Sequence, residues 1–244
     1  MKKFNKIISI ILSLTAVFCG AKVSSSASAA ERQLPIYRVD RDDKYISISF
    51  DCAWGDEYTD KLLKTMDEYG VKCTFFAVEF WTKKYPEHVK KISDAGHEIG
   101  THSATHSHMS KMDAASIKGE LESSAKAISD ITGKKVELFR APFGEYDDEL
   151  ITTATSLGLF TVQWDVDSLD WKNLSKEEIA KRVVGKVKSG SIILCHNNGL
   201  HTAESLPLIF SALQAEGYKF VPIGELIYRE NYTILPDGTQ KSNA

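Results

Sequence analysis

Two histidines, His102 and His106, stand four residues apart in a polar stretch that follows an apolar strand candidate at 98–100. Their side chains project the same way if the backbone makes a single helical turn there. Neutral imidazole is the side chain most often used to hold a transition metal, so the pair predicts two ligands of a metal site. Four of the seven histidines fall between positions 97 and 108, which favours this hypothesis. A polar loop with incidental histidines remains the alternative on this spacing alone.

Other reactive residue types fall at or just after the ends of predicted strands. They are Asp51, His102, Arg140, the group Asp165, Asp167 and Asp170, and His196. In a parallel barrel the carboxyl ends of all strands open onto one face, and that face carries the active site. Surface residues with no common role would be scattered through helices and amino-terminal turns as well. The placement therefore predicts one shared site.

Strand and helix patterns alternate along most of the chain. Strands are predicted at 45–51, 71–78, 98–100, 138–141, 159–164, 191–196 and 219–222. Helices are predicted at 58–69, 85–95, 147–157, 176–188 and 203–215. A further long amphipathic helix is predicted to begin at a capping box of Ser110 and Asp113 and to end at Gly133. Alternation at this spacing predicts an α/β fold with a parallel sheet, closed or open.

The first thirty residues are predicted to be a secretory signal peptide. A lysine-rich start precedes a mostly apolar run at 7–18, and Ala27-Ser28-Ala29 supplies a small-residue cleavage signal. The apolar run is too short for a comfortable membrane span. Retention as an uncleaved anchor and lipidation at Cys19 are the alternatives. We expect a secreted, extracytoplasmic protein.

The remainder suits a single larger domain at 44–230, preceded by a charged lead-in at 31–43 laid over the surface and followed by a tail at 231–244. Cys52, Cys73 and Cys195 cannot all pair, so the core must come from burial rather than from a disulfide framework. The formal net charge is only −3, which favours a neutral polymer or small molecule over nucleic acid as the partner.

Five short motifs occur in the order found in the polysaccharide deacetylase family, the NodB-like carbohydrate esterase family 4, which the chain resembles from Tyr45 to about Leu226. The motifs are Phe50-Asp51 with Trp54-Gly55-Asp56, His102-Ser103-Ala104-Thr105-His106, Arg140-Ala141-Pro142-Phe143-Gly144, Asp167-Ser168-Leu169-Asp170-Trp171 and Leu194-Cys195-His196. The first motif and the continuation after His106 look most like a sporulation-associated subgroup of Gram-positive bacteria. The resemblance implies a distorted (β/α) barrel of seven or eight units.

The resemblance also implies a divalent metal, zinc by preference and cobalt as a substitute, on His102 and His106. Asp51 would act as the general base that takes a proton from water, and Arg140 would keep Asp51 ionised. For Asp51 the alternative is a hydrogen-bonding role at a strand end, and for Arg140 an ordinary salt bridge.

On the same resemblance, His196 would be the general acid that protonates the leaving amine, and Asp170 would orient it and raise its pKa. The substrate pocket would be formed by Trp171, Leu194, Phe143 and Tyr146. The backbone N–H of Phe143 would serve as the oxyanion donor. A core role for Trp171 is the alternative.

One position departs from the family pattern. Where relatives carry a second aspartate as the third metal ligand, this chain has Cys52. Cys52 could bind as a thiolate, Asp56 could reach back across the Trp54-Gly55 turn, or water could complete a weaker site on two histidines. A second departure is Asn197, which replaces an aspartate that many relatives carry.

Together these features predict a secreted, metal-dependent hydrolase that removes acetyl groups from N-acetylglucosamine or N-acetylmuramic acid in a cell-wall glycan such as peptidoglycan. A sugar-binding relative without a full metal site is the alternative from another class. A third interpretation is an enzyme that hydrolyses another amide on the same barrel. No protein partner is implied, and a monomer is expected.

Overall fold

The computed structural model describes residues 32–243, so the predicted signal peptide lies outside the described residues. The strands are β1 (Arg38–Val39), β2 (Tyr45–Cys52), β3 (Thr74–Ala77), β4 (Glu98–Thr101), β5 (Leu138–Phe139), β6 (Phe160–Thr161), β7 (Val166–Asp167), β8 (Ile192–His196), β9 (Lys219–Phe220), β10 (Tyr232–Ile234) and β11 (Thr239–Ser242). The helices are α1 (Thr59–Glu68), α2 (Glu79–Lys84), α3 (Pro86–Asp94), α4 (Ala114–Thr132), α5 (Asp148–Ser156), α6 (Lys176–Val184), α7 (Thr202–Ala215) and α8 (Ile223–Leu226). Of the helices in this range, none is long and apolar enough to cross a membrane.

A curled parallel sheet organises the domain. Its strands lie in the order β6-β5-β4-β3-β2-β8-β7, and β9 also pairs with β2. All of these pairings are parallel, which requires crossover connections, and helices supply them. The path ends at β6 and β7, so the sheet is a distorted, open barrel. The predicted α/β fold of the distorted (β/α) barrel type is confirmed.

Strand β2 has two different buried faces because successive side chains point to opposite sides of a strand. Ile46, Ile48, Phe50 and Cys52 belong to the main apolar core, and all four are fully buried. Ser47, Ser49 and Asp51 alternate with them and are also buried. The Ser49 hydroxyl is satisfied by the carbonyl of Ile193, to which it donates at 2.7 Å. The polar face ends at Asp51, and the apolar face ends at Cys52.

The lead-in and the tail are not separate appendages. Strand β1 pairs with β11 in parallel, and β10 pairs with β11 antiparallel, which joins the two segments into a small second sheet. The N–H of Ile36 donates to Thr161, and the N–H of Gln163 donates to Ile36, so the lead-in extends along strand β6. Ile36 and Val39 are buried. The lead-in is therefore partly buried rather than laid over the surface. The scattered apolar residues of this short segment, Leu34, Ile36 and Val39, show no period from which burial could be predicted.

One predicted helix start differs from the structure, and one short helix has no predicted counterpart. Helix α4 begins after Asp113, whose carboxylate accepts the N–H of Ser116 at 2.8 Å, and Ser110 lies instead in a separate 3-10 turn. The predicted capping box is therefore wrong, while the predicted end at Gly133, which adopts a φ of 66°, is confirmed. Helix α2 was not predicted, because its six residues are too few to establish an apolar period.

Candidate active site

A cavity of about 520 Å³ opens at the carboxyl ends of the parallel strands. Its walls are Asp51, Ala53, Trp54, His102, His106, Phe143, Trp164, Asp167, Trp171, Leu194, His196 and Asn198. The structure therefore brings together eight of the predicted site residues, namely Asp51, His102, His106, Phe143, Asp167, Trp171, Leu194 and His196. Arg140 and Asp170 lie directly behind the wall, where each binds a lining residue.

The two histidines meet without the helical turn that their spacing suggested. Ser103 and His106 adopt left-handed backbone conformations, with φ values of 75° and 57°, and the N–H of His106 donates to the Ser103 hydroxyl. The ring centroids of His102 and His106 are 5.0 Å apart. Glu120 on α4 fixes the loop between them by accepting the backbone N–H groups of Ala104 and Thr105.

Both imidazoles are neutral near pH 7. Burial lowers the pKa of His102. Burial also lowers the pKa of His106, to about 4, and the nearby imidazole of His102 adds to this effect because the two rings would repel each other if both were protonated. Nδ1 of His102 lies 2.8 Å from the carbonyl oxygen of Arg140. Because a carbonyl only accepts, Nδ1 carries the proton and Nε2 keeps its lone pair. Nε2 lies 3.5 Å from Oδ2 of Asp51.

Asp51 is held by a buried cation. Nη1 of Arg140 donates to Oδ1 of Asp51 and to the Ser49 hydroxyl, both at 2.8 Å, and Nη2 donates to the carbonyl of Gln163. The Arg140 side chain is fully buried and its guanidinium lies over the Phe76 ring. Burial raises the pKa of Asp51, but the charge of Arg140, the nearby imidazoles of His102 and His196 and the hydrogen bond from Arg140 together outweigh burial and hold this pKa below its ordinary value.

His196 and Asp170 form the second charged pair. Nδ1 of His196 lies 2.8 Å from Oδ1 of Asp170. The Asp170 carboxylate also accepts the backbone N–H of His196, the backbone N–H of Trp171 and the hydroxyl of Thr202. Burial raises the pKa of Asp170, but these hydrogen bonds hold it below its ordinary value. Burial lowers the pKa of His196, but the hydrogen bond to Asp170 and the charges of Asp170, Asp51 and Asp167 together outweigh burial, so the pKa of His196 is raised.

Neither candidate for the third metal ligand faces the histidines. Cys52 ends the apolar face of β2, its Sγ lies 3.7 Å from the Phe50 carbonyl, and burial raises the pKa of the thiol well above its ordinary value. Asp56 lies outside the cavity wall, with Oδ2 3.4 Å from Nδ1 of His88. Cys52 does not face the histidines because it lies on the same side of β2 as Ile46, Ile48 and Phe50, which is the core side. Asp56 does not face them because it follows the turn at Gly55.

Tyr146 and Asp165 also lie outside the cavity. The Tyr37 hydroxyl donates to the Tyr146 hydroxyl at 3.1 Å, and left-handed conformations at Phe143 and Gly144 separate Tyr146 from the cavity wall. The predicted pocket role of Tyr146 is therefore corrected. Asp165 accepts the N–H of Ile192 and serves the start of β8.

Four wall residues had no predicted role in the site, namely Ala53, Trp54, Trp164 and Asn198, although Trp54 belongs to the first motif. Asn197 acts behind the wall: its side-chain amide donates to the carbonyl of Gly55 at 2.8 Å, and its backbone N–H donates to Asp51. The only indication in the sequence that Asn197 and Asn198 belong to the site is that these polar residues directly follow a predicted strand.

His102 and His106 form a pair of nitrogen donors that suits a metal ion. Among residues 32–243, no three His, Cys, Asp or Glu side chains are arranged to hold a metal together. Nε2 of His102 nevertheless presents a lone pair towards the Asp51 carboxylate with no proton between them, an arrangement that a cation stabilises. Two neutral imidazoles beside a carboxylate are donors that a divalent transition metal accepts.

The chain matches a family model described as polysaccharide deacetylase over residues 38–162. A peptidoglycan-N-acetylglucosamine deacetylase of Bacillus cereus is 33% identical over 78% of this chain and 92% of its own length. The uncharacterized protein YlxY of Bacillus subtilis is 33% identical over 79% of this chain, which spans 60% of the length of YlxY. The crystal structure of wild-type BA3943 from Bacillus anthracis, a CE4 family pseudoenzyme, has a TM-score of 0.77 at 32% identity and covers 85% of this chain and 72% of that one.

Proposed function

Because this chain belongs to the polysaccharide deacetylase family, hydrolases that act on carbon–nitrogen bonds, we propose that it removes acetyl groups from N-acetylated amino sugars of a cell-wall glycan by metal-dependent hydrolysis. The observation that carries the proposal is the convergence of Asp51, the histidine pair and His196 on one cavity. A carboxylate with a lowered pKa and an imidazole with a raised pKa are the two members of an acid–base pair.

His102 and His106 would hold the metal, with water completing its coordination. When bound there, a divalent metal lowers the pKa of a water molecule and polarises the acetamide carbonyl. Zinc is the proposed ion and cobalt a substitute, since both accept imidazole nitrogen. The hydrogen bond from His102 to the Arg140 carbonyl orients the ring for this role.

Asp51 takes the proton of the attacking water, and the ion pair with Arg140 keeps its carboxylate ionised and fixed. His196 gives a proton to the nitrogen as the carbon–nitrogen bond breaks. Asp170 holds the His196 ring and stabilises its charged form, as a carboxylate behind an imidazole does. Asp51 gains one proton and His196 loses one, so no net proton is gained or lost by the site during hydrolysis.

The apolar wall suits the small acetyl group. Leu194 is almost fully buried at the base of the cavity, whereas Trp171 and Phe143 are 56% and 55% exposed at its rim. We propose that Leu194 and Trp171 enclose the acetyl methyl, and that the backbone N–H of Phe143 donates to the developing oxyanion. The substrate lies in the cell wall, so we also propose that the protein acts outside the cytoplasmic membrane.

Acetate release from an N-acetylglucosamine oligomer tests this function. Protein stripped with chelator is expected to be inactive and to regain activity on titration with zinc or cobalt. His102→Ala should remain inactive at every metal concentration, whereas His201→Ala, a half-exposed histidine outside the cavity wall, should behave like the wild type. Metal-restored activity that survived His102→Ala would contradict the proposal.

The core position of Cys52 predicts that its thiol contributes nothing to metal binding. Cys52→Ala is expected to leave the Kd for zinc unchanged and to lower the free energy of unfolding by about 1 kcal/mol, through a small lost volume in the core. His106→Ala is the comparison and should abolish binding. Isothermal titration calorimetry on chelator-stripped protein measures both. A large loss of affinity in Cys52→Ala would establish the thiolate as a ligand.

A second candidate function is glycan binding without turnover. It is favoured by the buried thiol at the position of a missing ligand and by the similarity to BA3943, described as a pseudoenzyme. Saturable oligomer binding by the folded protein, with no acetate released at any metal concentration, would establish this candidate in place of the first.

A further inference from the structure

The Asp170 carboxylate is fully buried and accepts four hydrogen bonds. Its Oδ1 lies 2.8 Å from Nδ1 of His196 and accepts the backbone N–H of Trp171 at 2.9 Å. Its Oδ2 accepts the backbone N–H of His196 at 2.7 Å and the hydroxyl of Thr202 at 2.6 Å. A carboxylate has about four positions at which it can accept a hydrogen bond, so those of Asp170 are all occupied. Of the residues that supply these bonds, Thr202 has no role in the proposed reaction.

The bond from Thr202 is the contact to Asp170 that a substitution can remove without changing the backbone or the imidazole. Two of the other donors are backbone N–H groups, and the third is the His196 ring itself. Thr202 is fully buried and is the first residue of α7. Because water does not reach the hydroxyl, it cannot take the place of this bond when the bond is lost.

The loop between β8 and α7 is shaped around this contact. The backbone N–H of Thr202 donates to the carbonyl of Gly199 at 3.2 Å, so one tight turn joins the two residues. A Cβ added at Gly199 would overlap the Thr202 hydroxyl and lie 2.9 Å from Oδ2 of Asp170. Glycine at this position therefore leaves the space that the hydrogen bond needs. The amino end of α7 also places the positive end of the helix dipole beside the carboxylate, which favours its charged form.

The hydrogen bonds on Asp170 determine how strongly its carboxylate attracts the charged form of His196. Because the ionised carboxylate only accepts, Nδ1 of His196 carries a proton and Nε2 is the atom that exchanges a proton with the substrate. Each further hydrogen bond that Asp170 accepts neutralises part of its negative charge and weakens its attraction for the imidazolium. A general acid must release its proton, so an attraction that is too strong slows the reaction.

Other titratable side chains act on His196 from the neighbouring strands and loops. They are Asp51 on β2, His102 and His106 after β4, and Asp167 on β7. Among residues 32–243, the Thr202 hydroxyl donates to Asp170 and to none of these groups. A change in the titration of His196 that follows removal of the hydroxyl is therefore transmitted by Asp170.

We propose that Thr202 is a positioning residue for the general acid, whose hydroxyl fixes the Asp170 carboxylate behind the His196 ring and takes up part of its negative charge. The inference rests on the proposed function, in which His196 supplies a proton to the leaving amine. Thr202 does not belong to the cavity wall and its side chain is fully buried, so it acts through Asp170 and not on the substrate.

The test follows the titration of His196 by NMR, on protein with isotope-labelled histidine in a buffer that contains zinc. The signal of His196 is the one that is missing from His196→Asn. Thr202→Val keeps the shape of the side chain but has no donor, so the pKa of His196 is expected to rise further above its ordinary value. On an N-acetylglucosamine oligomer, kcat should fall roughly tenfold with KM unchanged. Thr202→Ser keeps the hydroxyl and should restore both the titration and kcat.

Two further variants separate this role from a general loss of packing. Gly199→Ala displaces the same hydroxyl from the side of the loop and should change the titration of His196 and kcat in the same direction. Thr82→Val is the matched control, because Thr82 is also fully buried and donates its hydroxyl to the carbonyl of Val78 at 2.9 Å. It should lower the Tm without changing the titration or kcat.

Two outcomes overturn the inference. In the first, Thr202→Val has the kcat and the His196 titration of the wild type. In the second, kcat falls while the titration is unchanged, which would mean that Thr202 supports the fold and not the charge of Asp170. A wild type without turnover would contradict the proposed function instead, and the NMR titration would still decide whether Thr202 acts on His196 through Asp170.

Discussion

Replacing Asp51 by asparagine is expected to lower kcat on an N-acetylglucosamine oligomer by roughly 10²–10⁴-fold, with a much smaller change in KM. Asparagine fills the same space but cannot accept the proton of the attacking water. The substrate would still bind, because the cavity wall formed by Leu194 and Trp171 is untouched. The measurement is steady-state acetate release at saturating metal.

His196→Asn is the partner variant and should cause a loss of the same order, because the leaving amine then receives no positioned proton. The two losses should not add, since each residue is needed in the same reaction. In the wild type, kcat/KM is expected to fall as the pH rises through the pKa of His196, which Asp170 places above its ordinary value. The His196 variant should lack this alkaline decline.

The control for both variants is Asp60→Asn, an aspartate exposed on α1 and paired with Lys91, which should retain wild-type kcat. Circular dichroism and the Tm confirm that each variant is folded. Turnover unaffected by the combined replacement of Asp51 and His196 would exclude the acid–base mechanism. A loss confined to KM would assign both residues to substrate binding.

The site could be predicted as far as strand ends determine it. Asp51 lies one residue before the end of β2, His102 follows β4 directly and His196 ends β8. Parallel strands bring such residues to one face of the barrel, whatever the conformation of the loops. Arg140 likewise follows β5 directly, but its position behind the cavity wall could not be predicted from the sequence. The fold class followed from the same alternation of strands and helices.

Side-chain direction was harder to predict, and Cys52 illustrates the reason. Family resemblance put a ligand at this position, whereas the alternation of Ile46, Ile48 and Phe50 puts Cys52 on the core face of β2. The parity argument was available in the sequence and points the other way. The position of Tyr146 and the hydrogen bond from Asn197 to Gly55 could not be predicted, because they depend on left-handed turns and on contacts between distant loops.

Replacing Arg140 by methionine is expected to lower the free energy of unfolding by about 3–5 kcal/mol at neutral pH. Methionine retains most of the apolar packing against Phe76 and Trp164 but leaves the Asp51 carboxylate buried without its partner. The Ser49 hydroxyl and the Gln163 carbonyl lose donors as well. Urea unfolding of chelator-stripped protein measures the difference.

The loss is expected to depend on pH with a definite sign. In the wild type the pKa of Asp51 is below its ordinary value, so its contribution to stability is present above the unfolded-state pKa of about 3.9 and is lost only as the pH falls through the lower folded pKa. Without Arg140, burial raises the pKa of Asp51, and the carboxylate takes up a proton at higher pH. The deficit of Arg140→Met should therefore shrink as the pH falls from neutral through that raised pKa.

The double variant Asp51→Asn with Arg140→Met separates the ion pair from the packing. Removing both charges takes away the uncompensated carboxylate, so the double variant is expected to be more stable than Arg140→Met alone and to lose the pH dependence. Lys90→Met breaks an exposed helical pair with Asp94 and should change stability little. If the double variant is as unstable as Arg140→Met at every pH, the unpaired charge of Asp51 does not destabilise Arg140→Met. Arg140 would then stabilise the barrel by its packing and by its hydrogen bonds to Ser49 and Gln163.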